Sequence, residues 1–361
     1  MAWYKRGLSV LLAIITLLGS IYLMRDNSFS TLSDAIGSTL IRQELQNLIS
    51  PKGITLSAAL VIRQFPALLQ AIENPSIEND NSTGEKATPA PSSNDPLSEE
   101  KTYQDNGIPS QTVIPSNPAG YTVINGVYIK NASTKVLDDK ELSAEHFDAT
   151  LQKKSPQVLI VHTHGSEAYA MPKGQNYVST GTYRTADTSY NVVRVGDEIA
   201  STLSAYGISV VHDRTLYDDP LYDGSYERSA EGIEEYLEKY PSITYVLDIH
   251  RDAVQDSSGQ QYKLITKEDP HCAQISFIMG SNNDHWQENL KLAIATSAAV
   301  AEQSPTAMRP ITLRNSNYNQ QFTSGSMLVE IGAAGNSLDE ALTAGQLFAR
   351  GFAAAVTKNG E

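Results

Sequence analysis

Cysteine is nearly absent: Cys272 stands alone in 361 residues, which excludes an internal disulfide framework and any cysteine-rich zinc knuckle. A metal held by this chain must therefore be held by His, Asp or Glu. Positive charge is also scarce. Lys and Arg number 27 against 41 Asp and Glu, a formal charge of −14, and a nucleic-acid partner is excluded because phosphate needs a basic face to replace its counterions. A Gly-x-Ser-x-Gly elbow is missing as well, since Ser166 is preceded by a single glycine, and that argues against a metal-independent esterase. No internal repeat is evident. What remains is a globular composition, 40% hydrophobic and 19% charged, in a chain long enough for one large domain or two medium ones.

The first residues have a different character. Lys5 and Arg6 precede Gly7 to Met24, which carries no charge. As a helix that stretch rises about 27 Å, close to the roughly 30 Å hydrocarbon core of a bilayer. Trp3, Tyr4 and Tyr22 sit where amphipathic rings favour the two interfaces. A cleaved signal peptide would end in a small-x-small site, whereas Ile21-Tyr22-Leu23-Met24 is bulky. Residues 1–26 therefore read as a cytoplasmic end and a single membrane anchor. The positive-inside bias keeps Lys5 and Arg6 inside, so the rest of the chain lies outside the cytoplasm.

Residues 27–74 read as short juxtamembrane helices, with Leu45, Leu48 and Ile49 at helical spacing. Residues 75–120 are rich in Ser, Asn, Pro, Asp and Glu and poor in large apolar residues. Such a segment buries too little to offset its ordering entropy and reads as a flexible linker. Residues 121–361 read as the folded domain. Val158–Val161, Ser209–His212, Val246–Ile249 and Met327–Glu330 look like strands, and helical patterns lie between or after them at 191–206, 230–240, 289–303 and 337–358. This alternation predicts an α/β fold with a mostly parallel sheet and helices on both faces. Ligands in such sheets bind beyond the carboxyl ends of the strands.

Three of these strands end on chemistry. Val161 is followed by His162-Thr163-His164-Gly165-Ser166-Glu167, Ile249 by His250-Arg251-Asp252, and Val329 by Glu330-Ile331-Gly332. In a parallel sheet all three clusters emerge at one edge. A hydrolytic zinc needs three protein ligands, an open position and a nearby base. The His-x-x-Glu spacing of His164 and Glu167 lets one loop offer two ligands, and His250 supplies the third. Glu330 is then spare for a base, because Asn336, Ser337 and Glu340 can cap the following helix. Neutral imidazoles with one carboxylate suit zinc. Arg251 is placed to hold Glu330 ionised, to bind a substrate carboxylate, or to pair with Asp248 or Asp252. His162 is expected either to support His164 from behind, the favoured reading, or to be a neutral core histidine. His146, His212, His271 and His285 fall in no comparable arrangement.

The run His162-Thr163-His164-Gly165-Ser166-Glu167-Ala168-Tyr169, then Asn191-Val192-Val193-Arg194-Val195-Gly196, Tyr226-Glu227-Arg228-Ser229, Asp248-Ile249-His250-Arg251-Asp252-Ala253 and Glu330-Ile331-Gly332 with Gly335-Asn336 together resemble the stage II sporulation protein P family. The match runs in order from about Val158 to Ala344, and the anchor and linker before it also fit. The resemblance implies a membrane-anchored cell-wall hydrolase of endospore-forming bacteria. It implies a peptidoglycan substrate, cut both as an N-acetylmuramoyl-L-alanine amidase and as an endopeptidase. It further implies work beside stage II sporulation proteins D and M during engulfment, in the space between mother cell and forespore. The domain is also distantly similar to the zinc N-acetylmuramoyl-L-alanine amidases. That likeness places their first ligand on His164, their third on His250 and their catalytic Glu on Glu330. Their second falls on Asp187, counted back from Asn191, which leaves Glu167 and Asp187 as candidates. The longer side chain on the ligand-bearing loop favours Glu167. Two other readings stand beside this one: a non-catalytic wall-binding scaffold of the same fold, and another zinc peptidase.

Overall fold

Val158–Val161 is apolar at every position, and its alternate side chains go to two different places. Val158 and Ile160 enter the larger core, while Leu159 and Val161 join Val246, Ile233 and Ile243 in a second cluster on the opposite face. A strand buried on both sides needs cover on both sides, and the helices supply it. The computed structural model describes residues 106–143 and 146–360, together with a short antiparallel pair, Ile49–Ser50 with Gly53–Ile54. Ile49, expected on a helix, thus stands in a strand, and the following Pro51 has no N–H to continue a helical ladder. The pair belongs to a unit separate from residues 96–361. The anchor expected over 1–26, the other expected helical positions of 27–74 and the linker up to 105 lie outside the described residues. Among the described residues no helix is long and apolar enough to cross a membrane.

The domain is mixed α/β around one eight-stranded sheet. Its strands in chain order are β1 (Thr122–Ile124), β2 (Val127–Ala132), β3 (Val158–Val161), β4 (Val210–His212), β5 (Tyr245–Asp252), β6 (Ile275–Gly280), β7 (Ile311–Arg314) and β8 (Ser326–Ala333). They lie side by side in the order β1-β2-β7-β6-β8-β5-β3-β4. From β8 to β4 the strands run parallel, as do β2, β7 and β6. The two blocks meet antiparallel between β6 and β8, and β1 closes onto β2 as a hairpin. Most neighbours are parallel, as expected. The reversal at β6 is the departure, and it brings the start of β6 beside the end of β8.

The helices are α1 (Asp139–Leu142), α2 (Val192–Ala205), α3 (Ser225–Lys239), α4 (Trp286–Gln303) and α5 (Leu338–Asn359). α2, α4 and α5 pack over the larger core and α3 covers the smaller cluster. In α5, Phe348 and Phe352 are fully buried, each contributing about 1.5–3 kcal/mol by burial. Local chemistry sets the helix starts. The Asn191 side chain accepts from the Val193 N–H, and Ser337 forms a reciprocal capping box with Glu340.

Residues 106–113, which fall within the linker expected over 75–120, are held on the domain. Ser110–Gln111 pairs in parallel with Lys263–Leu264, and the Asn106 amide donates to the Gly335 carbonyl at 3.1 Å. Composition undercounts such a segment, because backbone and side-chain hydrogen bonds attach it.

Candidate active site

Register puts the expected catalytic residues together. His250 on β5 stands directly opposite Glu330 on β8. Side chains alternate along a strand, so Asp248, His250 and Glu330 share the face that α3 covers. His164 follows β3 in the loop 162–168, its ring edge-on to His250 at 5.2 Å between centroids. Glu167, on the same loop, places Oε2 3.5 Å from His250 Nδ1 and accepts the Arg251 N–H through that same oxygen at 3.1 Å. All four expected residues therefore gather at one edge of the sheet. Asp187, the other candidate ligand, is exposed and caps a turn by accepting the Ser189 N–H.

His250 sits between two carboxylates. Its Nε2 lies 2.9 Å from Asp248 Oδ1, and Asp248 is fixed in turn by the Thr163 N–H and hydroxyl at 2.8 and 2.7 Å. Burial opposes a charge on this ring, but Asp248 and Glu167 together hold its pKa well above the usual imidazole value. Glu167 is opposed by burial too, yet the Arg251 guanidinium and His250 bring its carboxyl down to about 2. His164 is pushed the other way, to about 4, by burial and then by His250. Its Nε2 meets the Tyr222 hydroxyl at 3.1 Å and its Nδ1 the Ser225 hydroxyl at 3.3 Å, with the Tyr222 ring stacked upon it.

Glu330 is set apart. Its Oε2 is buried with no hydrogen-bond partner. Burial drives its carboxyl up to about 8, with His250 opposing and Asp252 and Glu167 adding to the rise. A carboxyl poised near neutrality can both take and return a proton. The strand kinks just beyond it: the register with β5 slips between Glu330 and Ala333, and Gly332 adopts φ +67°. Helix α5 starts on its own capping box, which leaves Glu330 free of that duty.

Arg251 does not approach Glu330, Asp248 or Asp252 as an ion pair. Alternation turns it to the other side of β5, where it contacts Glu167 at 3.5 Å and donates to the carbonyls of Ala168 and Tyr183. His162 takes the second role open to it, that of a buried neutral histidine, rather than the favoured one. It lies on the α2 face, opposite His250, donating from Nδ1 to the Ile249 carbonyl at 3.0 Å and meeting His212 Nε2 at 2.8 Å. His212, expected to be an ordinary packing residue, continues that contact to Asp197 at 3.1 Å. Burial, then His212, lowers the His162 pKa to about 3. Gly196 makes room for both rings: a Cβ there would lie 2.6 Å from each Nε2. Gly196→Ala is accordingly expected to cost about 1–3 kcal/mol by overpacking. Thermal melting would register it, and His212→Ala in the same chain should recover part of the loss. An unchanged melting temperature would mean that the two rings yield freely.

A sequence model of the stage II sporulation protein P family matches residues 38–353. This chain belongs to that family. Stage II sporulation protein P of Bacillus subtilis (strain 168) is 27% identical over 195 residues, 51% of this chain and 47% of that protein. The chain thus spans about half the length of the curated relative it matches. Among solved structures, an N-acetylmuramoyl-L-alanine amidase from Clostridium difficile 630 is 16% identical, covering 56% of this chain and 96% of that one, with a TM-score of 0.35. A second, the CwlD amidase from Clostridioides difficile in complex with the GerS lipoprotein, is 14% identical over 55% of this chain and 94% of that one, with a TM-score of 0.34.

Among the described residues no three His, Cys, Asp or Glu side chains form a ready metal-holding cluster. The chemistry of one pair of donors nevertheless suits an ion. Two ligands of a tetrahedral zinc stand about 3.3–3.4 Å apart, close to the 3.5 Å between Glu167 Oε2 and His250 Nδ1. Asp248 backs the other nitrogen of His250, an outer carboxylate of the kind that orients ligating imidazoles. The carboxylates that favour a proton on His250 would equally favour a cation in its place. The two nitrogens of His164 meet the hydroxyls of Tyr222 and Ser225 in this structure, so it would join them only with its ring turned.

Proposed function

We propose that this chain is a membrane-anchored, zinc-dependent peptidoglycan hydrolase of sporulation. It cleaves the N-acetylmuramoyl-L-alanine bond and also cuts peptide cross-links. One observation carries the reading: His164, Glu167 and His250 gather beside Glu330, whose Oε2 is buried without a partner. The four lie in a member of the stage II sporulation protein P family.

His164, Glu167 and His250 would hold the metal. Bound zinc supplies a water of lowered pKa and polarises the scissile carbonyl. Glu330 accepts a proton from the attacking water at its free oxygen and returns it to the leaving amine nitrogen. Arg251 and Arg184 keep the Glu167 carboxylate ionised and aimed. Asp248 fixes the His250 ring, and α3 contributes Ser225 and Tyr226 to the wall around His164. The anchor over 1–26 and the linker after it place the domain outside the cytoplasm, between mother cell and forespore. Stage II sporulation proteins D and M are the proposed partners there.

Digestion of purified peptidoglycan tests this directly. Free stem peptides and cut cross-links are expected, both abolished by chelation and restored by zinc. Full activity in excess chelator, with metal absent by elemental analysis, would overturn the zinc assignment. Binding to the wall without any released product would make the chain a scaffold.

A further inference from the structure

Three arginines stand at the edge of the sheet that carries the site, and two of them are committed. Arg184 is taken by Asp218, by the Ser166 hydroxyl and by Glu167, and Arg251 by Glu167 and two backbone carbonyls. Arg309 differs. It lies just before β7, where its N–H donates to the Ile275 carbonyl at the start of β6. Ser276 pairs with Glu330 across β6 and β8, and its hydroxyl donates to the Pro310 carbonyl at 3.1 Å. The chain at 309–310 therefore runs beside β6, one strand removed from Glu330, and the Arg309 side chain reaches Asp252 at the end of β5.

The Arg309 side chain is 12% exposed, and its Nη1 donates to Asp252 Oδ2 at 2.8 Å. Its Nε and Nη2 are buried and bond to nothing. Charged donors removed from water without an acceptor are costly, so a fold that keeps them free invites an acceptor from outside. Nε–H and Nη2–H share one edge of the planar guanidinium and point the same way. That fork meets both oxygens of a carboxylate. Of the neighbouring carboxylates, Glu167, Asp248 and Asp252 are each already engaged with arginine, histidine or threonine, which leaves Glu330 as the one with an unpartnered oxygen.

We propose that the Nε/Nη2 edge of Arg309 receives a free carboxylate of the substrate, so that the preferred substrate is an anionic peptide with a carboxylate close to the scissile bond. This rests on the hydrolase reading above. The rival inside the fold is Glu330, whose Oε2 is likewise buried without a partner. If Arg309 served Glu330, its loss would act on turnover and not on binding.

The test compares a muramoyl tripeptide carrying free carboxylates with the same compound fully converted to carboxamides. Calorimetry on the full chain gives affinities, and hydrolysis gives kcat and KM. The wild type should bind the carboxylate form about 10–100-fold more tightly, as hydrogen bonds to charged groups warrant. Arg309→Lys keeps the charge but loses the fork. It should raise KM for the carboxylate form by a similar factor, leave kcat nearly unchanged, and not alter binding of the carboxamide. Equal affinity of the wild type for the two compounds would overturn the proposal, and that comparison needs no variant to fold. A fall in kcat at constant KM would assign Arg309 to Glu330 instead. Discrimination between the ligands without any cleavage would keep the subsite and overturn the hydrolase reading alone.

Discussion

Glu330→Gln is expected to lower turnover about 10²–10⁴-fold, the usual contribution of a positioned general base, which is roughly 3–5.5 kcal/mol of barrier. The fold and the bound metal should both survive. Glutamine is nearly isosteric, and the carboxyl it replaces leaves Oε2 without a partner, so few bonds are lost. Melting temperature, metal content and stem-peptide release measured on one preparation separate the alternatives. A capping or salt-bridging role would lower the melting temperature and spare the rate. A ligand role would cost the metal. Unchanged release with unchanged melting would leave the reaction without its base and refute the assignment.

Glu167→Ala should remove the metal and with it all hydrolysis, and should also weaken the fold. The carboxylate is buried against Arg184, Arg251 and His250. Breaking one member out of such a buried set costs about 3–5 kcal/mol, because the remaining charges are left uncompensated. Asp187→Ala should do little. Its carboxylate accepts one turn N–H at the surface, worth about 1 kcal/mol, and zinc should stay bound. Elemental analysis of the folded fraction of each variant decides between them. Zinc lost with Asp187→Ala and retained with Glu167→Ala would reverse the ligand assignment.

Much of the site was legible because strand ends are. A short apolar run that stops on His or Glu states both the element and the edge on which its chemistry emerges, as at Val161, Ile249 and Val329. The start of α5 was equally open to reading, since Ser337 and Glu340 carry the capping box in their spacing. Strand direction was not. The apolar run Ile275–Gly280 looks the same whether it runs with β8 or against it, and only pairing across long separations settles that. Arg251 was misdirected for a related reason. One residue of strand alternation takes it off the face of Glu330, and Glu167, reaching in from its loop, meets it there. His212 gave no signal, because its meeting with His162 depends on Gly196 leaving space between a helix and the sheet. Arg309 belongs to no motif, and its free edge is visible only as an unmet hydrogen-bonding demand in three dimensions.

The attachment of residues 106–113 fixes where the preceding chain departs. Asn106 is tied to Gly335, just past the end of β8, so the exit point lies on the rim that holds Glu330. The amides of Lys263 and Ile265 donate to the carbonyls of Pro109 and Gln111, while Leu264 between them is held from its other side by the Asn336 side chain. Cutting away residues 106–113 would therefore bare one edge of that short strand, and the turn that follows β8 would carry more of its hold.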